Sequence, residues 1–490
     1  MKQVVTPDDM KRWDSACIAA GTPSVALMRR AAEGLLQAVL QMRHAEETAT
    51  VFCGSGNNGG DGYALGCLLS DRGVPVRIVE LGNPNHLTPE SAYYRNQAIS
   101  LGIELCSDWI EQSNEILVDA IFGIGLSRPV EGRYAEMIRR INESGKAVIA
   151  ADIPSGLDGA TGAVLGVAVK ATETVTMQFI KTGMLLGKGP AYTGKVTVCS
   201  LDDSFSIPSV QDIGPQERAD VESLLPPRPF DSHKGKNGHA LLCVGSGQYI
   251  GAALLSARAC LRAGCGILSV VVPEQVRSSF TALPEAITVS TGTQDWDEHA
   301  CHTAIQAFAN KSAIGIGCGM GSGDCSVLLR SALESGLPVV IDADGLNCLS
   351  RHPELYALLH TNVVLTPHPG EMARLLHKTV TEVLSDPIGC TRSFPCTVLL
   401  KGSTTTVTDG ARTVLCTEGT PGLAKGGSGD VLCGMITALL AQGLSPFDAA
   451  RAGTYLLGTS ARDAYRLLGN RMLMASDVID ALTEEYGFKN

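Results

Sequence analysis

The amino-acid sequence predicts an α/β protein of two domains, each built on a mostly parallel sheet covered by helices on both faces. Three observations predict it. At 490 residues the chain exceeds what one ordinary core accommodates. Short apolar runs alternate with longer amphipathic stretches, the rhythm of buried parallel strands joined by covering helices. That rhythm breaks once, between about residues 202 and 232, and then resumes.

The elements follow in order. Thr6-Pro7-Asp8-Asp9 and Thr22-Pro23 each set a hydroxyl at a helix N-cap and proline at the first helical position, predicting helices over 7–20 and 23–42. Thr50–Cys53, Val74–Leu81, Ile116–Ala120 and Ala147–Asp152 read as buried strands. Leu225-Pro226-Pro227-Arg228-Pro229 can continue neither a helix nor a central strand, so the boundary is placed in this stretch, with domains expected over 1–212 and 218–490. Further strands are expected at His239–Gly245, Ile267–Val272, Ser312–Gly317, Val339–Asp342, Asn362–Leu365 and Thr397–Lys401. No internal repeat or low-complexity tract appears, so each half is expected to fold separately and carry its own site.

The composition, 44% hydrophobic with 54 glycines and 5% aromatic, suits layered strands and helices joined by tight loops. The net charge of -11, with no basic face, argues against nucleic acid as a partner. Sixteen cysteines stand singly in apolar segments, as at Cys53, Cys67, Cys243, Cys260 and Cys265, and read as free thiols of a reducing cytosol. The start, Met-Lys-Gln with Asp8 and Asp9 close behind, lacks the features of a signal peptide, and no uncharged apolar run reaches membrane-spanning length. The expectation is a cytoplasmic protein that binds small molecules and not membranes.

Two glycine-rich turns carry the chemistry. Gly54-Ser55-Gly56-Asn57-Asn58-Gly59-Gly60-Asp61-Gly62 follows a strand and opens a helix, where open parallel sheets bind ligands. Gly54, Gly56 and Gly59 fit the dinucleotide fingerprint, with Glu80 about twenty residues on. Against a dehydrogenase stands Asp61, whose carboxylate would repel a pyrophosphate from the same amides. Asp119 and Asp152 end two neighbouring strands, so their loops should converge on the same sheet edge. Singly, each aspartate is as well read as a turn cap; with Asn57, Asn58 and Ser155 they make a set of hard oxygen ligands suited to a cation.

The second turn, Thr420-Pro421-Gly422-Leu423-Ala424-Lys425-Gly426-Gly427-Ser428-Gly429-Asp430, precedes an apolar helix over 431–441. Its glycines let successive amides face one concavity at a helix N-terminus, which is a phosphate cradle. Asp430 would be repelled by that phosphate unless a substrate hydroxyl lay between, which suits a base. Lys401-Gly402-Ser403-Thr404-Thr405 leaves a strand and could grip a diphosphate, although strand-end lysines are commonly just solvated. Asp342-Ala343-Asp344 and Thr366-Pro367-His368-Pro369-Gly370-Glu371 leave two more. His368, held between prolines, can present its ring to a ligand or serve the fold.

The Asn57–Gly62 loop, Asp119-Ala120-Ile121-Phe122-Gly123-Ile124-Gly125-Leu126-Ser127-Arg128-Pro129 and Asp152-Ile153-Pro154-Ser155-Gly156 together resemble the NAD(P)H-hydrate epimerase domain over about residues 10–200. The later motifs, with Ser232-His233-Lys234-Gly235, Gly251-Ala252-Ala253, Arg262-Ala263-Gly264-Cys265-Gly266 and Gly317-Cys318-Gly319-Met320-Gly321, closely resemble the ADP-dependent NAD(P)H-hydrate dehydratase domain over nearly all of 220–485. Cys318 departs from that family's frequent proline. The resemblance implies a Rossmann-like three-layer domain followed by a ribokinase-like α/β domain. It implies an isomerase that interconverts the S and R epimers of hydrated NADH or NADPH, and a lyase that dehydrates the S form with ADP. By matching position, potassium would use Asn58, Asp119 and Ser155. The epimerase substrate would lie against Asn57, Asn58, Gly59, Gly60, Asp61, Gly123, Ile124, Gly125, Leu126, Ser127, Arg128, Pro129 and Asp152, with Asp152 as proton shuttle. In the second domain Ala252, Gly319, His368 and Asp430 would contact the hydrated nucleotide, while Lys401, Gly402, Ser403, Thr404, Thr405 and Gly429 would hold ADP. Asp430 would assist phosphoryl transfer, Mg²⁺ would neutralise the diphosphate, and the protein would be a homo-oligomer. The other reading of the same turns is a ribokinase-like kinase of a small alcohol, with a non-catalytic N-terminal nucleotide module.

Overall fold

The computed structural model of the chain describes residues 4–44, 46–205, 213–215 and 218–485. The chain divides into two compact units, one within residues 2–210 and one within 211–490. The Pro226–Pro229 run belongs to the second, where the Arg228 guanidinium donates to the Gly264 carbonyl and to Gln442 Oε1.

The first unit holds a seven-stranded parallel sheet in the order Glu104–Cys106, Val76–Glu80, Thr48–Cys53, Glu115–Ala120, Val148–Ala151, Glu173–Met177, Lys195–Cys199. Val51, Phe52, Ile78, Leu117, Val118 and Ile149 are fully buried, as strands covered on both faces require. Helices Ser24–Met42, Asn57–Asp71 and Pro89–Ser100 pack one face. Gly132–Glu143 covers the other through Met137, Ile138 and Ile141. The strand order reverses between Thr48–Cys53 and Glu115–Ala120, and the crevice opens there at the strands' C-terminal ends.

The second unit contains a ten-stranded sheet that runs, from one edge, Ala286–Ser290, Ile267–Val272, His239–Cys243, Ala313–Ile316, Val339–Ile341, Val363–Leu365, Thr397–Leu400. Those strands are parallel; Thr405–Thr408 then returns antiparallel, followed by Thr413–Cys416 and Ile213–Pro215. Two buried clusters sandwich the sheet, one built with helices Ile250–Arg262, Ser428–Ala441 and Pro446–Met472, the other with Ser326–Glu334, Ala343–Arg351 and Pro369–Leu376. Here the order reverses between His239–Cys243 and Ala313–Ile316, so the loops after residues 243 and 316 frame a second crevice.

Most expected strands form within one or two residues of their predicted limits. Thr6 caps helix Pro7–Ala19 through a box with Asp9, as its sequence requires. Thr22 does not cap: Pro23 is the N-cap of the next helix, and the Thr22 hydroxyl instead donates to Asp202. Strands Glu173–Met177 and Lys195–Cys199 lie outside the expected pattern because polar side chains fill buried positions. Glu173 accepts from Thr197 and Lys195, and Thr174 donates to the Thr193 carbonyl. All sixteen cysteines are unbridged. Among the described residues no helix is long and apolar enough to cross a membrane.

Candidate functional site

At the first crevice lies a cavity of about 1140 Å³, lined by Asn57, Asn58 and Asp61 from the glycine turn, by residues 121–131, and by Asp14 and Asp152. Gly123 to Pro129 therefore share one wall with Asn57, Asn58, Asp61 and Asp152, whereas Gly59 and Gly60 are buried and do not line it. A Cβ at Gly59 would fall 2.1 Å from the Gly54 carbonyl oxygen, and one at Gly60 would strike Met28. These glycines let the helix start close against its strand.

Asp152 takes an unusual backbone, with φ 64° in the left-handed region. Its Oδ1 accepts from the Met177 amide at 3.1 Å and from the ammonium of Lys181, a fully buried lysine. Lys181 spends its other two donors on Thr176 Oγ1 and the Met177 carbonyl, each at 2.9 Å. Two further carboxylates face this pair. Burial, then the charge of Asp152, raises Asp14 to about 6, with Lys181 opposing. Burial, Asp152 and Asp14 likewise hold Asp61 well above the usual carboxylate range. Three acids thus share one ammonium, and Asp14 and Asp61 hold their protons more tightly than ordinary carboxylates. Neither Lys181 nor Asp14 was singled out in the sequence: Lys181 ends a two-residue strand, and Asp14 sits in an ordinary amphipathic helix.

Beside the cavity Asp119 is fully buried. It accepts from the Ser155 hydroxyl at 2.6 Å, the Ser155 amide at 2.8 Å and the Ile121 amide at 3.2 Å, and burial still raises it to about 6. Ser155 also accepts from the Phe122 amide. Asn58 is buried, yet neither polar atom of its carboxamide has a partner. Gly123 brings the Asp119 loop against Asn58, because a Cβ there would lie 3.3 Å from Asn58 Cβ. Unpartnered amide oxygen, buried carboxylate and hydroxyl are donors that fit a desolvated monovalent cation.

In the second unit, helix Ser428–Ala441 starts from Gly427 at φ 97°, placing Gly429 and Asp430 in its first turn. Asp430 is partly buried, and burial followed by the charge of Asp342 raises it to about 6, against the pull of Cys318 and Lys401. The Lys401 ammonium donates to Asp342 Oδ1 at 2.6 Å. A Cβ at Gly429 would lie 3.3 Å from Lys401 Nζ and 3.6 Å from Asp342 Oδ2, so both strand ends meet the helix start. Burial works against the charge of Lys401, but Asp342 and Glu371 more than offset it and hold its pKa above the ordinary value. Thr404 buries an unpartnered hydroxyl beside this lysine's loop. Across the switch point Gly319, at φ 64°, would drive a Cβ within 2.7 Å of Ala252, which places these two expected contacts side by side. Ser246, missed in the sequence, has a buried unpartnered hydroxyl in the loop after His239–Cys243. His368 caps helix Pro369–Leu376: its Nδ1 accepts from the Gly370 and Glu371 amides, leaving Nε2 3.4 Å from Glu371 Oε1.

Two doubly covered, mostly parallel sheets, each with polar loops at its switch point, one holding the Asp152–Lys181 cluster and the other Asp430, Lys401 and Asp342 at a helix start, define an α/β enzyme with two sites. Residues 240–484 match the family described as NAD(P)H-hydrate dehydratase, and residues 24–183 match the YjeF-related protein N-terminus. The bifunctional NAD(P)H-hydrate repair enzyme Nnr of Coxiella burnetii is 34% identical over 96% of this chain and 97% of its own length. Its counterpart from Vibrio cholerae is 35% identical, over 87% and 86%. A solved ADP/ATP-dependent NAD(P)H-hydrate dehydratase from Bacillus subtilis is 29% identical with a TM-score of 0.47, covering 54% of this chain and 94% of that one. The chain belongs to the family of bifunctional NAD(P)H-hydrate repair enzymes.

Proposed function

We propose that this chain repairs hydrated NADH and NADPH, with epimer exchange in residues 1–212 and ADP-dependent dehydration in residues 218–490. The observation that carries the reading is the meeting of Asp430, Lys401 and Asp342 around Gly429, at a helix N-terminus where a phosphate is stabilised. Hydroxide leaves poorly, whereas phosphate leaves well. The ring hydroxyl attacks the terminal phosphorus of ADP, AMP departs, and Asp430 accepts the hydroxyl proton. A carboxyl raised to about 6 is a base strong enough for that proton and still ionised at neutral pH. The ring nitrogen's lone pair then expels phosphate, and loss of a proton from the adjacent carbon restores NAD(P)H. Lys401, Gly402, Ser403, Thr404, Thr405 and Gly429 hold the nucleotide, and Ala252, Gly319 and His368 its partner. Mg²⁺ would neutralise the charge of the diphosphate.

In the first unit the hydroxyl must leave the carbinol carbon and return to the opposite face. Asp152, fixed by Lys181, moves the proton, and the wall of Asn57, Asn58, Asp61 and Gly123 to Pro129 holds the nucleotide. Asn58, Asp119 and Ser155 would hold potassium, whose fixed positive charge would match the unpartnered Asn58 amide and the buried Asp119. The same reading includes a cytoplasmic location, supported by sixteen free thiols, and a homo-oligomeric state, checked by its mass in solution.

The test is direct. Incubation with ADP and hydrated NADH regenerates the absorption of the reduced nicotinamide, with ADP and ATP compared side by side. A small-alcohol kinase would instead leave a stable phosphate ester and no reduced nicotinamide.

A further inference from the structure

Cys318 and Cys433, whose thiols neither proposed reaction uses, form a buried group with Asp342. Cys433 follows Asp430 by three residues on one helix, so its thiol lies on the same face one turn further in. Cys318 sits between Gly317 at φ 122° and Gly319 at φ 64°, in the loop that the switch point sends toward Asp342. The ligating atoms of the three all lie within 4.8 Å of one another, and Cys318 Sγ stands 3.9 Å from Asp342 Oδ2. Lys401 occupies only the other oxygen, Oδ1. Donors around a tetrahedral zinc ion stand about 3.3–3.8 Å apart, so small side-chain rotations close this group on an ion.

We propose that Cys318, Cys433 and Asp342 bind a thiophilic divalent cation, zinc above all, and that filling this site shuts off dehydration. Two thiol protons leave on binding, and two thiolates with one carboxylate then surround the ion. Asp430 stands one helical turn before Cys433, and its neighbour Gly429 lies against Asp342, where a Cβ would be 3.6 Å from Oδ2, so an ion in this group sits beside the Asp430 carboxylate. An ion there holds Asp430 by its charge and denies it the hydroxyl proton. Sulfur donors select zinc or cadmium over magnesium, so this site is separate from the hard cation that travels with the diphosphate. The inhibitory half rests on the role proposed for Asp430; the metal site does not.

The experiment uses the full-length chain freed of metal, with Cys318→Ala and Cys433→Ala as separate variants. Cobalt(II) reports thiolate ligation by its charge-transfer absorption, and zinc is titrated into the ADP-driven dehydration assay. Expected are a cobalt–thiolate band in the parent that both substitutions abolish, and a rise of at least about tenfold in the half-inhibiting zinc concentration in each. A parent without the band, variants that keep it, or equal zinc sensitivity in all three proteins overturns the proposal. Loss of the band in both variants, with no dehydration by the metal-free parent, keeps the metal site and removes the proposed function instead.

Discussion

Lys181 and Lys401 both end among carboxylates at the edge of a parallel sheet, yet they serve opposite ends. Lys181 is fully buried, and all three of its donors are taken, by Asp152, Thr176 and the Met177 carbonyl. It can hold Asp152 still and nothing more. Lys401 keeps 23% of its side chain exposed and spends one hydrogen bond on Asp342, facing the cradle at Gly429. A lysine with spare donors can meet a phosphate; a saturated one can only position. The number of acids does not separate them: Asp152, Asp14 and Asp61 surround Lys181, and Asp342, Glu371 and Asp430 surround Lys401.

The largest effect that would break this contrast is at Asp430. Asp430→Asn should lower the rate of dehydration about 10²–10⁴-fold while ADP affinity stays within about threefold, since the amide keeps the shape but accepts no proton. Loss of affinity in calorimetry to match the loss of rate would remove Asp430 from catalysis. Next comes Lys181→Met, which leaves Asp152 buried without its ammonium and should cost about 3–5 kcal/mol in denaturant unfolding of the first unit. Adding Asp152→Asn should recover at least about half of that loss, because Asn tolerates the left-handed backbone and carries no charge. Failure to recover would make Lys181 a packing residue.

Lys401→Met should act on ligand more than on fold, weakening ADP binding by about 1.5–3 kcal/mol, measured by calorimetry. A larger stability loss than binding loss would put Lys401 in the same class as Lys181. The smallest effect sharpens the protonation contrast. Asp14 carries a carboxyl raised to about 6, so the stability it contributes is present below its unfolded pKa and is lost as pH rises through 6. Asp14→Asn should therefore gain about 1–2 kcal/mol over the parent between about pH 4 and pH 7, after allowance for partial exposure. No change in that difference across the range would remove Asp14 from the cluster.

Much of the fold was legible because buried parallel strands leave uninterrupted apolar runs, as at Ile267–Val272, whose ends match the expectation to the residue. Glu173–Met177 was not, because its polar residues find buried partners only once its neighbours are in place. Thr22 shows the converse: a sound capping signal gave way to a partner at Asp202, 180 residues away.

The sequence by itself determined where the chemistry collects. Glycines at strand–helix junctions, with aspartate in the following turn, are local features, and both Asp430 and the Asn57–Asp61 loop could be placed from them. Only the tertiary structure decided what surrounds them. The separations of 29 positions from Asp152 to Lys181 and 59 from Asp342 to Lys401 are closed by strand order and not by any local pattern. The physical reason is that a pKa, a saturated ammonium or an orphaned amide such as that of Asn58 depends on burial and on through-space neighbours, which no stretch of chain contains within itself.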